Sequence, residues 1–244
     1  MALDTEGDSL HHYPERLALI QVADASGEAW LVDPLALGDL SALGRVTGDA
    51  RVTVVLHAGS NDLVHLKRRH RFSFARIFDT SIAARFLGLP NLGLDAVLAA
   101  YLGVELPPSR QRDDWSVRPL SQAQEHYAVA DVVHLIPLAR RLRGELSNRG
   151  RLAWVEEECA ALAAQVTPER VDDPDAYARL KGARELPPHG LGVLRELYEL
   201  RERLPSPPTD RRSRSWARPP SSSSRPASRA TARPWPACPV AHRA

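Results

Sequence analysis

Short strand-like segments alternate with helical patterns over the first 146 residues of this 244-residue chain, and this alternation constrains the fold most strongly. Strands that alternate with helices indicate an α/β fold in which helices cover a sheet. The Ala25-Ser26-Gly27 link predicts a hairpin, so we expect a mixed sheet rather than a purely parallel one. The predicted strands, rich in apolar and β-branched residues, are the opening ALDTE and residues 16–24, 28–34, 51–57 and 74–79.

Helical patterns fill the spaces between these strands and dominate the second half of the chain. We predict helices at 61–69, at 81–89 with Thr80 as N-cap, at 94–104, and at 121–146. Ser121 is the predicted N-cap of the longest helix, and Pro137 is expected to kink it. We therefore expect an α/β domain at 1–146, a small helical segment at 147–204, and a disordered tail rich in Arg, Pro and Ser at 205–244.

The positive charge of the chain is concentrated in that tail. Residues 205–244 contain eight Arg and one acid, a charge of +7 within a net charge of +2, which leaves −5 for residues 1–204. An acidic body argues against a broad basic surface for nucleic acid, but a local site could still bind phosphate through metal ions.

Cysteine content and hydropathy indicate the cellular compartment of the protein. Apolar runs fall short of the roughly 20 residues that cross a bilayer, and we expect no signal peptide and no membrane association. Cys159 and Cys238 lie far apart in different contexts, so we predict a cytoplasmic protein without a disulfide framework.

The spacing of several carboxylates indicates a shared site. In a strand, residues i and i+2 point to one side, so Asp4 and Glu6 project together. In a helix, residues i and i+4 share a face, which places Tyr127 beside Asp131. Asp62 follows an apolar strand and a small-residue turn.

Carboxylates brought together in a dry pocket repel one another unless cations separate them. Oxygen ligands suit Mg²⁺ or Mn²⁺, and two such ions about 3.5–4 Å apart can stabilise an in-line displacement at a phosphodiester. A phenol beside them could orient the attacking water.

Each of these residues also has a structural interpretation when taken alone. Asp4 and Glu6 could simply be solvated, Asp62 could be the N-cap of the helix that follows it, and Tyr127 could be a core residue. The histidines have no spacing that fits a compact zinc site. The functional prediction therefore depends on Asp4, Glu6, Asp62, Tyr127 and Asp131 occurring together.

The chain resembles ribonuclease D and the wider group of DEDD-type 3′–5′ exonucleases, in the subgroup with a tyrosine in the third motif. The likeness extends over about residues 2–146, and it includes the linking segments HHYPERLALIQVA, LVDPL and FDTSIAARFLGLPNLGLDAVLAAYLGVEL. The three motifs match ALDTE, LHAGSNDL and DDWSVRPLSQAQEHYAVADVVHLIPL.

This resemblance implies a ribonuclease H-like fold and a site assembled from five residues. Asp4, Glu6, Asp62 and Asp131 would hold two divalent ions, Mg²⁺ or Mn²⁺, and Tyr127 would position the nucleophilic water. The implied activity is hydrolysis of mononucleotides from RNA with a free 3′ end, in the maturation of tRNA and other structured RNA.

Four further residues are weaker candidates for substrate binding. His57 either supports Asp62 or the terminal nucleotide, or is a plain strand-end histidine. Trp115 either packs in the core or stacks on a base. Arg118 either contacts phosphate or forms a bridge to Asp113 or Asp114, and Gln21 could donate a hydrogen bond to substrate.

The sequence departs from the family pattern in two places. The family has a stretch before its first motif, whereas Met1 lies three residues before Asp4, so the first strand is expected to fray. The family continues into helical HRDC domains, and residues 172–204 resemble the opening of one that is truncated.

Two other functions are alternatives to an exoribonuclease. They are a DNA 3′–5′ exonuclease and a non-catalytic RNA-binding module.

Overall fold

The computed structural model describes residues 1–167 and 173–204, and its centre is a five-stranded mixed sheet with helices packed against it. The strand order is β3-β2-β1-β4-β5. Strands β3, β2 and β1 are antiparallel neighbours, and β1, β4 and β5 are parallel ones, so the predicted α/β class with a mixed sheet is confirmed. The strands are β1 Ala2–Gly7, β2 Leu17–Ala23, β3 Ala29–Val32, β4 Val54–Leu56 and β5 Ile77–Asp79.

Strand β1 is the central strand and is hydrogen-bonded on both sides. It pairs with β2 from Ala2 to Gly7, and the Met1 α-amino group donates a 3.0 Å hydrogen bond to the Thr53 carbonyl. The Met1 carbonyl accepts a 2.8 Å hydrogen bond from the Val55 N–H. Ala2 and Leu3 are completely buried. The expected fraying of this strand is therefore not observed, because neighbouring strands hold both of its edges.

The helices lie between and after the strands, and the first of them was not predicted because its apolar pattern is short. Their bounds are α1 Ser41–Thr47, α2 Ser60–His70, α3 Thr80–Leu87, α4 Leu94–Leu102, α5 Gln122–Val133, α6 Leu135–Asn148, α7 Leu152–Ala164 and α8 Pro188–Arg203.

Two details differ from the predicted helices. The long helix is interrupted at His134 rather than kinked, since Pro137 has no N–H to donate to the Val133 carbonyl one turn earlier. Helix α3 is capped by Asp79 instead of Thr80, and the Asp79 carboxylate accepts hydrogen bonds from the Ser81 and Ile82 N–H groups. Ser121 caps α5 as predicted.

The described residues form two compact units. In the first, residues 1–167, the main core unites the sheet with buried residues of α2, α3 and α6. Helix α7 packs on β5 and α3 and belongs to this unit, although the prediction placed it in the following segment. In the second, residues 173–204, α8 packs against a short 3₁₀ turn at Ala176–Arg179.

Within residues 1–167 and 173–204, we find no helix that is long and apolar enough to cross a bilayer. Cys159 is a buried free thiol, and Cys238 lies outside the described residues. The predicted tail at 205–244 also lies outside them.

Candidate active site

Strand β1 presents two acidic side chains to the same side of the sheet. Asp4 lies opposite Gln21 on β2, and Glu6 lies opposite Leu19, so the two carboxylates share a face as their spacing predicts. Helix α5 packs across β1, β2 and β3 and covers this face. A central strand has no free edge, which gives both carboxylates a rigid support.

Helix α5 brings two more site residues to the same face. Ser121 and Gln124 form a reciprocal capping box, in which each side chain bonds the backbone N–H of the other residue. One and two turns beyond this fixed start, Tyr127 and Asp131 are both buried. Carboxylate oxygens of Asp4, Glu6 and Asp131 all lie within 4.8 Å of one another.

Asp62 approaches the cluster from the other side, in the first turn of α2. It is not one of the three mutually close carboxylates, but its charge contributes to raising the pKa of Asp4. The Asp62 carboxylate accepts a short hydrogen bond from the Thr5 hydroxyl, which fixes its orientation against β1. The N-cap of α2 is Gly59, so the interpretation of Asp62 as an N-cap is wrong.

The five predicted residues line one cavity of about 820 Å³. The lining also includes residues 92–95 and the loop at 106–109. The structure therefore brings all five together at one concave surface, which is the arrangement expected of a binding site.

Burial and mutual repulsion raise the pKa values of the carboxyl groups. Burial is the largest cause for each one, and it raises the pKa of Glu6 to about 8 and that of Asp131 to about 7. The pKa of Asp4 lies well above its usual range, because burial is reinforced by the charges of Asp62, Asp131 and Glu6. The pKa of Asp62 is also raised by burial, although the Thr5 hydrogen bond opposes this.

The cluster fits a divalent cation by the chemistry of its donors. Three carboxylates with oxygens within 4.8 Å repel one another when ionised, and a cation between them removes that repulsion. Hard oxygen donors are the ligands that Mg²⁺ and Mn²⁺ prefer. Asp4, Glu6 and Asp131 would hold such an ion, and Asp62 lines the same cavity.

Tyr127 lies between the cluster and a small aromatic core. Its ring packs against Trp115 with 6.1 Å between ring centroids, and its phenol lies beside Asp131 and Ser109, whose side chains influence its pKa. Burial, together with the charges of Asp131 and Glu6, raises the pKa of the phenol. The phenol therefore stays protonated at neutral pH and can orient a polar group, but it cannot serve as a base there.

A buried carboxylate fixes the turn that delivers Asp62. The Asp79 side chain accepts hydrogen bonds from the N–H groups of Ala58, at 3.1 Å, and Gly59, at 2.9 Å. Ala58 adopts a φ of 53°, which is uncommon for a residue with a Cβ and needs such support. A Cβ on Gly59 would lie 2.8 Å from Leu56, so this position requires glycine.

His57 has both ring nitrogens engaged. Nε2 lies 2.8 Å from the Leu92 carbonyl, and Nδ1 lies 2.8 Å from the Thr80 hydroxyl. A carbonyl only accepts, so Nε2 carries the proton in the neutral ring. The single proton of the Thr80 hydroxyl is shared between His57 Nδ1 and the Leu56 carbonyl, which lies 2.9 Å from the hydroxyl oxygen. Burial lowers the pKa of His57, in agreement with a neutral ring. His57 therefore holds Leu92 in the lining of the cavity, a structural role that was not among the predicted alternatives.

Three of the weaker candidates lie in positions that do not suit a contact with substrate. Trp115 is completely buried, which supports core packing over base stacking. Arg118 bridges to Asp33 instead of Asp113 or Asp114. The remaining Arg118 donors bond the carbonyls of Trp115, Val117 and Ala18, so all five guanidinium donors are occupied and none is left for phosphate.

Gln21 is also completely buried, so the predicted hydrogen bond to substrate does not agree with its position. It lies on β2 opposite Asp4, and neither atom of its amide has a hydrogen-bond partner among the described residues. The buried indole N–H of Trp115 likewise has no hydrogen-bond partner among the described residues.

Sequence reasoning missed three contributors to the site. Asp79 could have been found from the Asp-Thr-Ser sequence at the end of a predicted strand, since Asp is a preferred N-cap. Thr5 and Ser109 carry no such signal, because a hydroxyl in a strand or a loop is common. Their contacts to Asp62 and Tyr127 depend on the tertiary fold.

Comparison with known proteins agrees with this geometry. Residues 1–147 match the sequence profile of the 3′–5′ exonuclease family. A ribonuclease D from Pseudomonas paraeruginosa is 37% identical over 203 residues, which cover 83% of this chain and 53% of that protein. The chain thus spans about half the length of the curated relatives it matches.

Solved structures confirm the predicted ribonuclease H-like arrangement. An Escherichia coli ribonuclease D, described as an exoribonuclease involved in structured RNA processing, superposes with a TM-score of 0.67 and 34% identity. That alignment covers 83% of this chain and 55% of the other. Brucella melitensis NrnC with bound Mg²⁺ superposes with a TM-score of 0.58 and 29% identity, covering 66% of this chain and 80% of the other.

Proposed function

This chain belongs to the 3′–5′ exonuclease family, and on that premise we propose that it is a metal-dependent exoribonuclease of the ribonuclease D type. It would hydrolyse phosphodiester bonds one nucleotide at a time from RNA with a free 3′ end. The observation that carries this proposal is the convergence of Asp4, Glu6 and Asp131 within 4.8 Å, on a cavity that Asp62 and Tyr127 also line.

We assign the metal ligands from this convergence and from the family's motifs, and we retain the DEDD subgroup with tyrosine as part of the proposal. Asp4, Glu6 and Asp131 would hold one divalent cation, and Asp4 together with Asp62 would hold a second. When bound, Mg²⁺ or Mn²⁺ would activate water and stabilise the attacking and leaving oxygens of the displacement. Brucella NrnC with bound Mg²⁺ supports this choice of ion by similarity.

The chain's own residues supply the orientation. The Tyr127 phenol, held between Ser109 and Asp131, would place the nucleophilic water in line with the terminal phosphodiester. The ring is fixed because Trp115 packs behind it. The wall at residues 92–95, which His57 holds through the Leu92 carbonyl, would contact the terminal nucleotide.

We propose single-stranded 3′ ends of tRNA precursors and other structured RNA as the substrate, by similarity to ribonuclease D. A DNA exonuclease uses the same carboxylates, and a non-catalytic RNA-binding module would keep the cavity without turnover. The presence of all five site residues in one cavity favours catalysis over the module. We also propose a cytoplasmic location and an HRDC-like segment within residues 147–204.

The deciding experiment measures release of nucleotides from matched substrates. The purified chain is incubated with single-stranded RNA and with DNA of the same sequence, each labelled at its 3′ end, in Mg²⁺, in Mn²⁺ or in a chelator. Asp62→Asn removes a proposed ligand, and Asp49→Asn is the matched control because Asp49 pairs with Arg51 on the surface, away from the cavity.

We expect mononucleotide release from RNA that stops with the chelator and falls on the order of 10³-fold in Asp62→Asn, the loss of several kcal/mol of metal stabilisation. Asp49→Asn should match the parent chain. Preferential release from DNA would support the DNA exonuclease instead. Binding of RNA without release in either metal would support the non-catalytic module.

A further inference from the structure

We propose that Gln21 is a positioning residue for Asp4, and that its amide donates a hydrogen bond to the ionised Asp4 carboxylate when a divalent cation is bound. The inference rests on the proposed function, since it assigns a support to one of the proposed metal ligands. Gln21 does not contact the substrate. Its effect is exerted through Asp4.

The sheet register places the two side chains side by side. Gln21 on β2 is the antiparallel partner of Asp4 on β1. Side chains of directly opposite residues lie on the same face, with Cβ atoms about 4.5–5.5 Å apart. The amide of a glutamine is long enough to cross this distance and reach a carboxylate oxygen.

The environment of Gln21 offers its amide little else. Its other direct neighbour across the sheet is Leu31 on β3, and the face is covered by α5. The side chain is completely buried, and neither its Nε2 nor its Oε1 has a hydrogen-bond partner among residues 1–167 and 173–204. The amide is therefore available to pair with a neighbouring group, and Asp4 is the polar residue directly opposite it.

The cost of burying this amide argues against a role in packing alone. A buried donor or acceptor without a partner loses the hydrogen bonds that it makes to water in the unfolded chain, whereas an apolar side chain of the same shape avoids that cost. Methionine or leucine would fill the space between Asp4 and Leu31 more favourably. The chain therefore gives up stability at this position, as chains do at functional sites.

A hydrogen bond from Gln21 to an ionised Asp4 would offset this cost. Hydrogen bonds to a charged acceptor are about twice as strong as those between neutral groups. A donor on one side of the carboxylate would fix its orientation, so that its free oxygen faces the cavity with Glu6 and Asp131. Groups that orient a metal ligand in this way typically change metal affinity by about 10–100-fold.

The test measures metal binding directly, without substrate. Gln21→Met keeps the length of the side chain and removes both polar atoms. Mn²⁺ binding is followed by electron paramagnetic resonance and calorimetry on the full chain, and stability is followed by thermal unfolding in a chelator. We expect Mn²⁺ to bind about 10-fold or more weakly, while the metal-free variant unfolds at the same temperature as the parent or above it.

Two further variants keep the test decisive. Val22→Ala changes the next residue of β2, which pairs with Leu3 and points to the other face, so it should lower stability without changing Mn²⁺ affinity. Gln21→Leu repeats the main test with a different shape in case methionine packs poorly. Unchanged Mn²⁺ affinity in both folded Gln21 variants would overturn the inference.

The outcome separates this inference from the proposed function. If the parent chain binds Mn²⁺ and releases nucleotides while Gln21→Met does both equally well, only the role of Gln21 is wrong. If the parent chain binds no Mn²⁺, the metal site and its positioning residue are both wrong.

Discussion

The Asp79 carboxylate accepts a 2.9 Å hydrogen bond from the Gly59 N–H, which joins the end of β5 to the turn that begins α2. The same side chain also bonds the N–H of Ala58 and caps α3 through Ser81 and Ile82. One buried acid thus ties two helix starts together. Because Asp62 lies in the first turn of α2, this bond determines where the proposed metal ligand is held.

We expect Asp79→Ala to destabilise the chain by about 3 kcal/mol or more, since several buried N–H groups lose a charged acceptor. Activity of the fraction that remains folded should also fall, because the turn before Asp62 is released. Urea unfolding and RNA hydrolysis measure the two effects.

Ser81→Ala is the matched control for this prediction. It removes a single hydrogen bond, from the Ser81 hydroxyl to Asp79, and leaves the bonds to the turn intact. It should cost about 1 kcal/mol and leave hydrolysis unchanged. If Asp79→Ala lost stability but kept full activity, the turn would not depend on Asp79 for its position.

The local geometry of the site could be predicted from the sequence because it depends on short periodicities. The two-residue repeat of a strand pairs Asp4 with Glu6, and the four-residue spacing of a helix pairs Tyr127 with Asp131. The alternation of strands and helices predicted the fold class for the same reason. The relationship among these separate elements came from the family resemblance, which supplied their common site.

The misassigned residues depend on contacts between distant parts of the chain. Arg118 bridges to Asp33, 85 residues away, and no local pattern identifies that partner. The complete burial of Gln21 and Trp115 follows from the packing of α5 and the loop before it. Periodicity indicates which side of an element a residue occupies, but it does not determine what covers that side.

Replacing Tyr127 by Phe tests the proposed orientation of water. The ring would still pack on Trp115, whereas the interactions of the hydroxyl with Asp131 and Ser109 would be lost. We expect kcat on RNA to fall about 10²-fold, with KM and Mn²⁺ affinity within twofold of the parent. Tyr101→Phe on α4, away from this contact, should leave all three unchanged. A rise in KM equal to the fall in kcat would instead indicate that Tyr127 binds substrate.

The raised carboxyl pKa values predict that the metal-free chain loses stability as pH rises. In the unfolded chain these groups ionise near 3.8 for Asp and 4.5 for Glu, whereas folding raises the pKa of Asp131 to about 7 and that of Glu6 to about 8. The folded state therefore binds more protons, and the stability they contribute is lost as pH rises through the folded values.

Melting temperatures measured in a chelator between about pH 6.5 and 8 test this effect. Carboxyl groups whose pKa is lowered, such as that of Asp33, are already ionised throughout this range and do not contribute to the change. We expect the melting temperature to fall across the window, and Glu6→Gln to reduce the fall. Saturating Mg²⁺ should abolish it, because the bound cation favours the ionised carboxylates. A metal-free melting temperature that rises from pH 6.5 to 8, with no difference in Glu6→Gln, would contradict the assignment of these groups.

Arg118→Lys distinguishes a structural bridge from a phosphate contact. The guanidinium bonds Asp33 through two nitrogens and also bonds the carbonyls of Trp115 and Ala18, which a single ammonium cannot reproduce. We expect a loss of about 2–3 kcal/mol of stability, measured by urea unfolding, with KM for RNA within twofold of the parent.

Arg51→Lys provides the comparison for that change, because Arg51 forms a two-nitrogen pair with Asp49 at the surface. The Arg51 side chain is 89% exposed, whereas that of Arg118 is 27% exposed, so water screens the first pair and Arg51→Lys should leave stability nearly unchanged. A phosphate contact would give the opposite result for Arg118→Lys, with unchanged stability and a KM that rises and depends on salt, since a charge paired with RNA is screened by added ions. If Arg118→Lys and Arg51→Lys lost the same amount of stability, the hydrogen bonds of Arg118 would not be what holds the loop at 115–118 against β2 and β3.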